Sequence, residues 1–78
     1  MKNADSESEE FIKWVAARIR DLRKEQGYTN YESFAYDKGI PRAQFGRYEN
    51  GTDMRISSLK KVANAFGMTL SDFFEGMK

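Results

Sequence analysis

Two arginines lie five residues apart in the stretch GIPRAQFGRYENG, which covers residues 39–51. The guanidinium groups of Arg42 and Arg47 each present a planar fork of donors that suits phosphates and other flat acceptors. Pro41 fits the first turn of a helix, and the final glycine fits its end. Gly46 stands between the arginines, although glycine inside a helix costs about 1 kcal/mol relative to alanine. The stretch predicts a short helix that presents arginines and contains one residue in need of explanation.

The composition narrows the chemistry that could accompany these arginines. The chain has 78 residues and contains neither cysteine nor histidine. The sequence therefore predicts no disulfide, no thiolate metal site and no histidine general base. Asp72 and Glu75 are a carboxylate pair at helical spacing, which is common on exposed surfaces. We expect no catalytic residue, no cofactor-binding residue and no metal site.

Charge and hydropathy bear on partners and location. Residues 1–10 carry one lysine and four acidic residues, whereas the rest carries twelve basic and eight acidic residues, a balance of +4. A mildly basic domain is compatible with a polyanionic partner. No apolar run approaches the roughly 18 to 20 residues that span a bilayer, and the N-terminus lacks the apolar core of a signal peptide. We expect a soluble, cytoplasmic protein with an acidic, frayed tail over residues 1–8 and a single domain over residues 9–78.

Apolar spacing predicts a first helix in the N-terminal third. Ser6 or Ser8 is placed to cap it, and Gly27 to end it. Its apolar residues follow the spacing i, i+4, i+8, i+11, which predicts one buried face made of Phe11, Val15, Ile19 and Leu22.

A second helix follows after a short loop. It begins at Thr29, which forms a capping-box pattern with Glu32, or at Asn30, an equally good cap one residue later. Gly39 ends it in a left-handed conformation. Its inward side chains are Phe34 and Ala35.

Three further helices complete an all-α chain. The third covers the opening stretch, and its buried face contains Phe45 and Tyr48. The fourth ends at Gly67, and its apolar stripe consists of Ile56, Leu59, Val62, Ala63 and Phe66. The fifth is a short turn that Ser71 caps, with Phe73 and Phe74 as its apolar anchors.

The second and third helices, YESFAYDKG and IPRAQFGRYE, are joined by a tight turn that contains glycine. Such an αα corner is called a helix-turn-helix. Many small helical bundles contain a similar corner, so the corner alone also permits a purely structural interpretation.

A longer match distinguishes these alternatives. From about Arg18 to Phe74 the chain resembles the Xre/Cro-like helix-turn-helix family, the lambda-repressor type of DNA-binding domain. The resemblance is carried by IRDLRKEQGYT, by FA with Gly39, by the ENG that closes the third helix, and by LKKVANAFGMTLSDFF. It implies a compact five-helix lambda-repressor-like domain that binds double-stranded DNA.

The resemblance implies which side chains touch DNA. In the family the second helix of the corner lies in the major groove with its N-terminal residues at base edges. The base-contacting positions then fall on Arg42, Ala43, Gln44 and Arg47. Arginine reaches guanine O6 and N7 together, and alanine suits a thymine methyl group.

The same resemblance implies contacts with the DNA backbone, which position the protein rather than specify the sequence. These positions are Tyr31, Tyr36, Lys38, Gly46, Asn50, Thr52 and Arg55. Tyr36 could instead be a partly buried core ring, and Lys38 a solvated charge. The chain departs from the family pattern at two places, with Tyr31 where glutamine is frequent and Pro41 where a serine or threonine cap is usual.

The remaining features have structural interpretations. The family's glutamate at position 49 pairs with an arginine of the first helix, here Arg23 or Arg20. The basic residues Arg18, Arg20, Arg23 and Lys24 are expected to form a solvated face. Trp14 covers the edge of the core or joins a dimer contact. The apolar C-terminal end closes the core in part and supplies a homodimer face in part, through Met68, Leu70, Phe73, Phe74 and Met77.

Two explanations remain for Gly46. It is expected on the outer side of its helix, where a small residue lets the helix approach DNA or leaves room for Arg47. Alternatively, the position merely tolerates any small residue. For the whole chain we predict a sequence-specific, repressor-like transcriptional regulator that binds a near-palindromic operator as a homodimer. The alternative is a protein-interaction module, or an antitoxin-like protein that binds a protein partner, on the same fold.

Overall fold

The computed structural model describes the backbone of residues 2–77 and the side chains of residues 7–77. Within residues 2–77 every regular element is a helix, which confirms the predicted all-α fold. The five helices are α1 (Lys2–Glu25), α2 (Tyr31–Lys38), α3 (Arg42–Glu49), α4 (Ile56–Ala65) and α5 (Leu70–Phe73). None of these described helices combines the length and apolar character that a bilayer crossing requires.

Helix α1 is longer than the sequence predicts. It begins at Lys2, so the predicted start at Ser6 or Ser8 is wrong. A helix whose later turns are held by packing extends at little cost, and acidic residues favour its N-terminal end. The fraying of residues 1–8 stays a prediction, and residue 1 lies outside the described part of the chain. Phe11, predicted on the buried face, is 43% exposed and stacks against Phe74 with ring centroids 5.9 Å apart.

Helix α2 and the turn after it follow the predicted pattern. Of the two candidate caps, Asn30 is the one used, because its side chain accepts a hydrogen bond of 2.9 Å from the backbone N–H of Ser33. The left-handed Gly39, with φ of 71°, ends the helix. The next N–H, of Ile40, then donates to the carbonyl of Ala35 at 2.9 Å. This C-terminal arrangement turns the chain sharply toward α3.

Helices α4 and α5 correct two predictions. Ile56 is 79% exposed, because it is the first residue of α4 and precedes the turns that face the core. Thr69, not Ser71, caps α5. Its hydroxyl accepts from the N–H of Asp72 at 3.0 Å, and the Asp72 carboxylate accepts from the N–H of Thr69 at 3.3 Å. This reciprocal capping box starts α5 at Leu70.

Aromatic rings form the centre of the core and join the helix-turn-helix to the rest of the domain. Phe34 of α2 stacks on Phe66 at 4.7 Å between ring centroids and contacts Phe45 of α3 at 5.2 Å. Phe34, Phe45 and Phe73 are completely buried, as is Ile19 of α1. Because one ring of α2 touches both α3 and the end of α4, the corner is fixed relative to the remaining helices.

Candidate nucleic-acid interface

Helix α3 divides into a buried side and an exposed side. Phe45 and Tyr48 are buried in the core, as predicted. Ala43 and Arg47 are exposed, and at about 100° per residue they point within roughly 40° of each other. Arg42 is exposed as the first helical residue. The three therefore border the open side and the N-terminal end of α3.

A buried ion pair fixes the C-terminal end of α3 to α1. Arg23 donates from Nε to Glu49 Oε2 at 2.7 Å and from Nη2 to Oε1 at 3.0 Å. Only 6% of Arg23 and 5% of Glu49 are exposed. Arg23 also donates to the carbonyl of Tyr28 at 2.9 Å, and Arg20 donates to the backbone carbonyl of Glu49. The predicted partner for Glu49 is confirmed, and both proposed arginines contact this residue.

The basic stretch of α1 is mostly not the solvated face that was predicted. Arg23 is buried, and the half-buried Arg18 donates to the carbonyls of Phe73 at 2.8 Å and Asp72 at 3.1 Å. Arg18 thereby supplies a donor to the Phe73 carbonyl at the end of α5, where a helix leaves acceptors unpaired. The Asp72 carbonyl, in contrast, also accepts from the N–H of Glu75 at 3.2 Å. Lys24 is exposed, as predicted.

The four predicted base-contacting residues have unequal surroundings. Arg42, Ala43 and Arg47 are exposed, but Gln44 is half-buried and its amide donates to the hydroxyl of Tyr48. This bond draws Gln44 toward the buried side of α3. The contact of each residue with a base remains a prediction.

A surface groove brings Arg42 together with one of the predicted backbone-contacting residues. Arg42 lines this groove with Tyr36, Glu32 and Asp37 of α2. Tyr36 is 86% exposed, so its alternative interpretation as a core ring is wrong. The groove holds two carboxylates beside one guanidinium group. In the major groove of DNA, a carboxylate can accept a hydrogen bond from cytosine N4, whereas guanine presents only acceptors there.

Four more of the predicted backbone-contacting residues are exposed. Lys38 is exposed, its Nζ lies 5.8 Å from the centre of the Phe34 ring, and it lines a cleft with Lys61. The remaining three follow α3 and are all exposed, namely Asn50, Thr52 and Arg55.

The predicted placement of Gly46 is wrong. It was expected on the outer side of α3, but it is buried. A methyl group built on its Cα would lie 2.9 Å from Cε1 and 3.0 Å from both Cζ and Oη of Tyr31. Real side chains do not approach so closely, so the small residue makes room for this ring rather than for DNA. The ring covers Gly46 in the free protein, and the predicted contact of Gly46 with the DNA backbone stays a prediction.

Tyr28 ties the loop before α2 to that helix. Its hydroxyl donates to the Asp37 carboxylate at 2.7 Å. This hydrogen bond, with smaller contributions from desolvation and from the carboxylate charge, raises the pKa of Tyr28 above its ordinary value. Together with Arg23, which binds the Tyr28 carbonyl, the bond holds both ends of this residue.

Trp14 packs at the edge of the core. Its ring stacks on Phe74 with centroids 5.8 Å apart and meets Phe73 edge-on at 6.3 Å. Within the chain, Trp14 therefore covers the edge of the core, which is the first of its two predicted roles.

Most of the chain is similar in sequence to a known family of DNA-binding domains. The family model described as "Cro/C1-type HTH DNA-binding domain" matches residues 18–77. A control protein, C.MunI, from Mycoplasma sp is 31% identical over 62 residues, which cover 78% of this chain and 84% of that protein. No solved structure matches the chain. The matched region contains all of α2 to α5 and the part of α1 that carries Arg18, Arg20 and Arg23.

Proposed function

Because the chain belongs to the Cro/C1-type helix-turn-helix DNA-binding family, whose members are DNA-binding regulators rather than enzymes, we propose that it is a sequence-specific, repressor-like transcriptional regulator. It inserts α3 into the major groove and reads base edges with Arg42, Ala43 and Arg47. The relative that carries the name of a control protein supports a regulatory role for this chain.

The observation that carries this proposal is the exposed side of α3. Phe45, Tyr48 and Glu49 hold one side of the helix in the domain and leave Ala43 and Arg47 in solvent. A helix that enters the major groove needs such an exposed side and a fixed orientation. Arg42, at the N-terminal end, extends the same surface toward α2.

Gln44 contributes in a second way within this proposal. Its amide group is engaged by Tyr48, which leaves it at the border of the exposed side. It therefore flanks the base-reading residues, where the second hydrogen of the amide can reach a base or a phosphate.

Backbone contacts surround the base-reading residues on both sides. Tyr31 and Tyr36 of α2 offer hydroxyl donors on one side. Asn50, Thr52 and Arg55 offer donors on the other side, in the segment after α3. Lys38 adds a positive charge at the C-terminal end of α2. Such contacts fix the register of the helix on the duplex.

A homodimer on a near-palindromic operator completes the proposal. The C-terminal segment keeps half-buried apolar side chains at its surface, namely Met68, Leu70, Phe74 and Met77. A two-fold pair that joins these surfaces would bind two half-sites about 34 Å apart, one turn of DNA. A domain of this size also gains stability when it buries further apolar surface.

The experiment is selection of bound sequences from a random duplex library, followed by affinity measurements on the selected duplex. A symmetric motif with half-sites about 10 base pairs apart is the expected result. The variants Arg42→Ala and Arg47→Ala should each lose about 1 to 3 kcal/mol of preference for the selected site over random DNA. Lys13→Ala is the matched control, because it removes an exposed positive charge from α1.

Two results would refute the proposal. Equal losses on selected and random duplexes would make the arginines phosphate contacts instead of base contacts. Absence of any salt-dependent binding to duplex DNA would favour the protein-interaction alternative, since DNA affinity that rests on phosphate contacts falls steeply with salt.

A further inference from the structure

The contact between Tyr31 and Gly46 links the start of α2 to the middle of α3. Tyr31 is the first residue of α2 and is half-buried against the core. The far end of its ring lies directly over the Cα of Gly46, with Cε1, Cζ and Oη all within about 3 Å of the place of a missing methyl group. Any larger residue at position 46 would displace the ring.

The hydroxyl end of this ring lies beside the proposed base-reading residues. On the surface of a helix, residues three and four apart are neighbours. Gly46 is therefore adjacent to Arg42 and Ala43 and directly precedes Arg47. Since Tyr31 Oη sits over Gly46, the hydroxyl group is at the border between the buried and exposed sides of α3.

The hydroxyl of Tyr31 is also available. The chain has four tyrosines. Within the described side chains, the hydroxyls of Tyr28 and Tyr48 form hydrogen bonds with Asp37 and Gln44. Residues 7–77 provide the Tyr31 hydroxyl with no such partner, and no fully buried side-chain oxygen or nitrogen of that region lacks one. The Tyr31 hydroxyl is therefore not fully buried, and none of these residues engages its hydrogen.

Backbone geometry limits where this hydroxyl can go. Asn30 caps α2 and fixes the position of the Tyr31 backbone. The ring then rests on α3 at the one place where a helix of this kind offers no side chain. A glycine there lowers helix stability, so its contribution is the seat that it provides for the ring.

We propose, on the basis of the DNA-binding function proposed above, that Gly46 is a positioning residue. It seats the Tyr31 ring against α3 so that the hydroxyl donates a hydrogen bond to a DNA phosphate oxygen at the edge of the groove that α3 enters. The phosphate contact belongs to Tyr31, and Gly46 acts only through that ring.

The test is a double-mutant cycle on the selected duplex with the full chain. Tyr31→Phe removes the hydroxyl, and Gly46→Ala displaces the ring. Each single variant should bind about tenfold more weakly, the loss expected when one hydrogen bond to a charged acceptor is removed. The double variant should also be about tenfold weaker, because both changes remove the same contact. Helical circular dichroism and thermal melting confirm that each protein is folded at the assay temperature.

Salt dependence separates this role from a general loss of fold or charge. A tyrosine hydroxyl is uncharged, so both variants should keep the slope of log affinity against log salt concentration. Removal of a charged phosphate contact would instead reduce that slope by about one.

Several results would overturn the inference. One such result is an unchanged affinity in either single variant. Another is a roughly hundredfold loss of affinity in the double variant, which would mean that the two residues act independently. If Gly46→Ala does not fold, the comparison moves to Tyr31→Ala with and without Gly46→Ala, where the added methyl group has room. Equal affinity of that pair supports the inference. Weaker binding with the methyl group would mean that Gly46 itself approaches DNA.

Failure of this inference and failure of the proposed function give different results. A wild-type protein that selects no duplex refutes DNA recognition as a whole. A wild-type protein that binds its selected site while the cycle is additive refutes only the role of Gly46.

Discussion

The buried pair of Arg23 and Glu49 gives the sharpest prediction on stability. Arg23→Met leaves the Glu49 carboxylate buried without its partner, and Glu49→Met does the same to the guanidinium group. Breaking one side of a buried ion pair costs about 3 to 5 kcal/mol. At about 0.05 to 0.15 kcal/mol per residue, a domain of 78 residues has a free energy of unfolding of roughly 4 to 12 kcal/mol. Either single variant should therefore lose a large part of its stability.

The double variant should recover most of this loss. Replacement of both charges with apolar side chains of similar size is often neutral, because no uncompensated charge remains in the interior. One cost persists, since the Tyr28 carbonyl loses its bond from Arg23, and a lost hydrogen bond is worth about 1 kcal/mol. We expect Arg23→Met/Glu49→Met to be about 1 kcal/mol less stable than the wild type and clearly more stable than either single variant.

Urea unfolding followed by circular dichroism measures all of these free energies. Lys24→Met is the matched control, because this neighbouring residue is exposed and its substitution should change stability by less than about 0.5 kcal/mol. A double variant that loses the sum of the two single losses would refute the reasoning. Additive losses would mean that the two side chains stabilise the domain independently of each other rather than as a pair.

Two further predictions concern α2. Asn30→Ala should lower the free energy of unfolding by about 1 kcal/mol, because it removes the cap of this helix, whereas Thr29→Ala should change it little; equal effects in urea unfolding would contradict the assigned cap. Asp37→Asn should lower the pKa of Tyr28 toward its ordinary value, measured by phenolate absorbance during a pH titration. Because the pKa of Tyr28 is raised in the folded protein, the stabilisation from this bond is present at neutral pH and is lost as pH rises through that pKa; an unchanged Tyr28 titration in Asp37→Asn would contradict the cause.

Apolar periodicity predicts most of the core but not its limits. Val15, Ile19 and Leu22 are buried as their spacing predicts. Phe11 and Ile56 have the same spacing and are exposed, because each lies N-terminal to the part of its helix that neighbouring helices cover. Periodicity shows which side of a helix is apolar, but the extent of tertiary cover depends on where the other helices end.

The polar residues of the site were harder to predict than the apolar ones. The pairing of Glu49 with α1 follows from the family pattern, and the structure selects Arg23 for the side-chain bond. The binding of Arg18 to carbonyls of α5 had no signal in the sequence, since its partners are backbone groups more than 50 positions away. Side chains that bind remote backbone atoms leave no residue pattern to detect.

Gly46 shows how two separate anomalies can have one cause. A glycine inside α3 and a tyrosine at the position where the family frequently has glutamine are each unusual. The contact between them explains both, because the ring of Tyr31 occupies the space that a side chain at position 46 would need. Tyr31 and Gly46 are 15 positions apart in the sequence. Their relation is therefore visible only when the packing of the start of α2 against α3 is known.

Different residues of α3 fix the orientation of the helix and carry the proposed base contacts. An isolated helix of eight residues is not stable in water, so α3 owes its existence to tertiary contacts. Those contacts come from Phe45, Tyr48 and Glu49 and from the ring that covers Gly46. The remaining exposed positions carry the proposed base contacts and contribute little to the fold. Exchange of their side chains should therefore alter the proposed sequence preference at a stability cost near 0.5 kcal/mol or less. A change on the buried side should instead alter the orientation of every proposed base-reading residue at once.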